Sequence, residues 1–166
     1  MLTQHTYFNL EAYRNPESDK IFTHDLYLPY SQRFLPIDGG GLPTGDIDTI
    51  DEGHIMDFHT ETKSLGFASD QDEFDEWAGG TEGYNHFWLF DDVPDADTIV
   101  LTLSSPWNGI KADLRTDQPG VQIYTMGWSD GSAELKSTQG FGDRTMVTRS
   151  SGVAIEPHDY VDGINK

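Results

Sequence analysis

The chain has no cysteine, which excludes a disulfide framework and zinc sites built on thiolates. Basic residues are scarce: 10 Lys plus Arg stand against 29 Asp plus Glu, a formal net charge of −19. A surface of that sign repels nucleic acid and anionic membranes, so neither is expected as a partner. No apolar run approaches the roughly 18–20 residues a helix needs to cross a bilayer. The opening Met1-Leu2-Thr3-Gln4-His5 has neither the basic start nor the apolar stretch of a secretory leader, and a cytoplasmic location is the expectation. Also lacking are a P-loop, a Gly-rich dinucleotide fingerprint and a His-Glu-x-x-His pair, which leaves nucleotide and zinc-protease chemistry unsupported.

What is present is a strand-rich chain. With 166 residues, 36% of them apolar and 12% aromatic, the polypeptide can bury one real core but not two ordinary ones. Thr98-Ile99-Val100-Leu101-Thr102-Leu103 is a β-branched run between Asp-rich and Ser-Pro punctuation. Residues 111–116 and 121–125 alternate; in the second, Gln122 and Tyr124 share the face opposite Val121 and Ile123. Further strands are predicted over 20–28, 84–90, 145–149 and 152–155. Gly39-Gly40-Gly41, Pro43-Thr44-Gly45 and Pro119-Gly120 are turn chemistry. Only 69–77 offers a helical turn, with Ser69 as its N-cap. No repeat, heptad or flexible linker is visible. The fold class is all-β, an antiparallel sandwich in one piece.

Six histidines and many carboxylates leave acid/base chemistry open. Two settings stand out. Thr3-Gln4-His5-Thr6-Tyr7-Phe8-Asn9-Leu10 surrounds one imidazole with hydrogen-bonding groups and aromatics, and Ala154-Ile155-Glu156-Pro157-His158 puts a carboxylate where Pro is read as ending an apolar strand. From the residues alone, each imidazole is open to a structural as well as a catalytic reading.

The motifs taken together resemble the aldose 1-epimerase (galactose mutarotase) family. Thr3 to Leu10 is similar to its signature Thr-Asn-His-x-Tyr-Phe-Asn-Leu, with Gln4 in place of Asn. Leu35-Pro36-Ile37-Asp38, Leu42-Pro43-Thr44-Gly45, Met56-Asp57-Phe58, Gly83-Tyr84-Asn85-His86 and Pro119-Gly120-Val121-Gln122-Ile123-Tyr124 follow in the family's order. Ile155-Glu156-Pro157 through Asp162 resembles the segment that carries the family's catalytic Glu. The resemblance spans the chain and matches the C-terminal part of the family.

The resemblance implies a galactose mutarotase-like β-sandwich and an isomerase that interconverts anomers of an aldohexose, without metal, nucleotide or other cofactor. It makes His5 the general acid and Glu156 the general base. Asn85, at a position where the family usually has Asp, would bind a sugar hydroxyl with Gln122, and His86 and Tyr84 would line the same cleft. Trp88 and His24 are expected in structural roles, and His54, His59 and His158 at the surface. Family members run longer, so residues 1–166 are expected to form a single domain lacking the family's N-terminal half, with its sugar-binding Arg and His, and its last strands. Half of the cleft should then be open, with sheet edges exposed to self-association. A non-catalytic carbohydrate-binding module on the same fold is the competing expectation.

Overall fold

A computed structural model describes residues 2–93 and 95–163. In chain order the strands are β1 (Tyr7–Phe8), β2 (Asp25–Tyr27), β3 (Arg33–Leu35), β4 (Asp48–Thr49), β5 (Lys63–Ser64), β6 (Asn85–Leu89), β7 (Leu101–Ser104), β8 (Lys111–Leu114), β9 (Gly120–Tyr124) and β10 (Val153–His158). Every pairing is antiparallel. A six-stranded sheet runs β1-β10-β9-β6-β3-β4 and a four-stranded sheet runs β5-β2-β7-β8. No helix among the described residues is long and apolar enough to cross a membrane.

The core lies between the two sheets because their strands alternate. Phe34, Trp88, Val121, Ile123 and Ile155 from the large sheet meet Leu26, Leu101 and Leu103 from the small one. Trp88 is fully buried and its indole N–H donates to Met56 O at 3.2 Å. The opposite face of the large sheet carries a second apolar group, Leu35, Phe87 and Leu89, with Tyr160 against it. That outer face is where polar residues of β6, β9 and β10 gather.

Several expected elements take a different form. Residues 20–28 are only half extended: Ile21–Thr23 is a 3-10 turn, in which Thr23 Oγ1 donates to Lys20 O and draws the backbone away from a ladder. Residues 145–149 form no strand. Their pairing is an isolated bridge, Glu134 with Met146. In 69–77 the helical turn is a 3-10 segment, Asp72–Asp75. It is preceded by Gln71 without a side-chain cap, so Ser69 is not the N-cap.

Strand β10 continues through Pro157 to His158, correcting the expectation that proline stops it. β1 pairs only with Val153 and Ala154, so β10 is an edge at Pro157. The carbonyls of Ile155 and Pro157 face that edge, where Gln4 Nε2 and Thr3 Oγ1 take them. The nitrogen of Pro157 points the same way, and its missing N–H removes no ladder bond. Between this edge and β8 lies an apolar groove of about 290 Å³ lined by Phe8, Leu101, Ala112, Leu114, Ile155 and Pro157.

Gly120 of β9 shows how tightly the outer face is packed. A Cβ there would stand 2.4 Å from Phe87 Cζ and 2.5 Å from Trp88 O. Gly120→Ala is expected to destabilise the fold by about 1–3 kcal/mol through overpacking. Urea unfolding should show a lower midpoint with an unchanged m-value; an unchanged midpoint would mean that Phe87 moves freely.

Candidate active site

The site begins with the register of three strands. Glu156 of β10 lies opposite Gln122 of β9, and Gln122 opposite Phe87 of β6. Directly paired residues point to the same side of a sheet, so all three stand on the outer face. One step along, Asn85 is opposite Tyr124 and on that face too. Gln122 Nε2 donates to Asn85 Oδ1 at 2.9 Å, which fixes both amides. These residues floor a cleft of about 380 Å³, walled by Thr3, Leu35, Ile37, Gly41, Pro43, His158 and Val161.

His5 approaches Glu156 from the segment before β1. Gln4, which replaces the usual Asn, anchors that segment by donating to Ile155 O and accepting from Thr6 N–H. His5 Nε2 then lies 3.4 Å from Glu156 Oε1. The imidazole tilts against Tyr7, with ring centroids 5.1 Å apart. The His5 side chain is 54% exposed and that of Glu156 10%. Glu156 lines the cleft and His5 stands against it from outside that lining, so the two touch rather than stand apart with space for a pyranose. The imidazole is the more exposed of the two.

Burial raises the Glu156 carboxyl above the ordinary carboxylate range, although His5 and His158 both act to lower it. A carboxylate with a raised pKa is a stronger base than a solvated one.

His5, Glu156, Asn85 and Gln122 are thus brought together. Tyr84 and His86 are not, because alternation sends 84, 86 and 88 to the inner face while 85 and 87 face the cleft. Tyr84 is wholly buried and its hydroxyl donates to Ile55 O at 2.9 Å. His86 stacks on Trp77 with ring centroids 5.4 Å apart. Burial, with help from neighbouring His54, pushes the His86 imidazole down to about 3. Both are core residues in this structure, and their expected place in the cleft is corrected.

His24 is structural: it is buried and its Nε2 accepts the Leu10 N–H at 2.9 Å. The surface assignment of the remaining histidines needs correction. His54 is half-buried between Phe34 and Trp77, and His59 pairs with Asp57 at 3.2 Å. His158 is buried and lines the cleft. Its signal was its spacing: two residues from Glu156 on one strand, hence the same face.

The aldose 1-epimerase family model matches residues 1–166. The chain belongs to the aldose 1-epimerase family. The epimerase FSL3 of Gibberella zeae is 28% identical over 99% of this chain and 42% of its own length. Bovine galactose mutarotase is 27% identical over 99% and 42%, and the aldose 1-epimerase of Haemophilus influenzae 27% over 99% and 43%. The chain therefore spans about two fifths of these relatives and matches their C-terminal part. Two solved structures share the fold. An aldose epimerase homologue from C. elegans has TM-score 0.68 at 21% identity, covering 93% of this chain and 40% of that one. Galactose 1-epimerase of Lactobacillus acidophilus has TM-score 0.66 at 21% identity, covering 93% and 39%.

Proposed function

We propose that this chain interconverts the α and β anomers of an aldohexose such as galactose or glucose by acid/base opening and closure of the ring. The observation that carries the reading is the juxtaposition of His5 and Glu156, with Glu156 and the Gln122–Asn85 pair lining one cleft of a family member. Glu156 takes the proton from the anomeric hydroxyl while His5 gives one to the ring oxygen. The C1–O5 bond breaks and C1=O1 forms, leaving an open-chain aldehyde. Rotation about C1–C2 turns the other carbonyl face to O5, and closure returns both protons. The chemistry needs two titratable groups within hydrogen-bond reach of O1 and O5. Side-chain amides of Asn85 and Gln122 offer acceptors and donors to the remaining hydroxyls.

Polarimetry on freshly dissolved α-D-galactose tests the reading. Catalysed decay of rotation supports it. Galactose binding without any acceleration would favour the non-catalytic carbohydrate-binding module.

Asn85 gives a second test. Asn85→Asp keeps the acceptor for Gln122 Nε2 and adds a charge for a sugar hydroxyl. Charged hydrogen bonds exceed neutral ones by about 1 kcal/mol, so the variant is expected to bind galactose roughly fivefold tighter. Titration calorimetry measures this; an unchanged Kd would mean that Asn85 does not meet the ligand.

A further inference from the structure

We propose that His158 is a second sugar-contacting side chain of the cleft, taking a pyranose hydroxyl through Nε2 beside the Glu156 carboxylate. The inference rests on the reading of the cleft as an aldose site and adds a binding residue to it.

Glu156 and His158 are two residues apart on β10, so their side chains emerge from the same face roughly 7 Å apart along the strand. Across the ladder, His158 is opposite Gly120. That glycine has no side chain to occupy the outer face, and Phe87 fills the space, its ring meeting the imidazole with centroids 5.1 Å apart. The imidazole is thereby held against an aromatic wall, 5% exposed, on the border of the cleft.

Its hydrogen bonding is half complete. Nδ1 lies against the carbonyl oxygen of Asp159. A carbonyl only accepts, so Nδ1 must carry the proton and the neutral ring keeps its lone pair on Nε2. With Nδ1 engaged, Nε2 is the ring nitrogen left to meet a hydroxyl entering the cleft that His158 lines. The titratable neighbours are Glu156 on the same strand and Tyr160 in the turn that follows, while β6 and β9 oppose it with Phe87 and Gly120.

The test combines imidazole 15N NMR on the wild-type protein with mutarotation kinetics on His158→Gln and His158→Phe. Saturating galactose is expected to shift the His158 Nε2 resonance. His158→Phe should raise KM about five- to tenfold, the loss of one neutral hydrogen bond, with kcat within about threefold. His158→Gln, which retains an acceptor, should recover most of that loss. If His158→Phe fails to fold, the Nε2 response in the wild type still decides. A wild type that turns over galactose with an unmoved Nε2 and an unchanged KM in His158→Phe overturns the inference alone. A wild type that neither binds nor turns over aldohexoses overturns the reading of the cleft, and this inference with it.

Discussion

His5→Asn and Glu156→Gln are each expected to lower the catalysed rate of anomer interconversion by about 10²–10⁴-fold, the usual worth of one positioned proton-transfer group. The two act on one C1–O5 unit, so the double variant should be little worse than either single one. In the wild type, activity should fall on the acid side as Glu156 takes up its proton. That limb should lie above the range of a solvated carboxylate, because burial raises the group. Glu156→Gln should lack the limb altogether. Folding should survive. A carboxyl whose pKa is higher folded than unfolded carries a penalty once pH exceeds the folded value, so the amide should be neutral or stabilising at pH 7. Circular dichroism and a thermal melt verify the fold, and polarimetry reads the rate. Wild-type rates in both variants would remove His5 and Glu156 from these roles.

The cleft is legible where one face of a strand is polar. In β9 the alternation of Val121 and Ile123 with Gln122 and Tyr124 assigns each side chain to its observed face. In β6 both faces are apolar or buried, so polarity gives no cue. There, placing Tyr84 and His86 in one cleft with Asn85 contradicts the period of two that separates them. His158 escapes for another reason. Proline ends a strand only where its N–H is needed, and at Pro157 the neighbour is not a strand but the Thr3 and Gln4 side chains. That edge contact joins residues more than 150 apart in sequence, which no local pattern discloses. The 3.4 Å approach of His5 to Glu156 depends on it, since those contacts hold the segment that carries the imidazole. The two sheets and their shared core are the all-β sandwich that the strand pattern predicts. The irregular stretch around the Glu134–Met146 bridge is not.

Asp57→Asn is expected to destabilise the protein by about 3–5 kcal/mol, the effect of breaking a buried ion pair and leaving one charge unpartnered. Asp57 is fully buried in the Met56-Asp57-Phe58 stretch, whose neighbours Met56 and Phe58 are core residues. Its carboxylate accepts from Gly53 N–H at 2.9 Å, from Thr60 N–H at 3.1 Å and from Thr60 Oγ1 at 2.7 Å, and pairs with Lys63 Nζ at 2.5 Å. The Lys63 side chain is itself 13% exposed. Burial raises the carboxyl, but Lys63 and the Gly53 and Thr60 donors outweigh it, and the net position is far below the ordinary range. An amide keeps one acceptor oxygen and places N–H groups against donors, so Lys63 loses its counter-charge in a site with little water. At about 2–4 °C per kcal/mol for a domain of this size, the melting temperature should drop by roughly 6–20 °C. The pH dependence follows from the sign of the shift. A carboxyl depressed in the folded state contributes stability that is present above its unfolded value, near 3.9, and is lost as pH falls toward the folded one. Between pH 7 and 5 the variant should therefore be less stable than wild type by a constant amount. Below about pH 4 the gap should narrow as the wild type loses its own pair. Urea unfolding at a series of pH values measures both; a gap that stayed constant down to pH 2 would show that Asp57 acts through shape and not through charge.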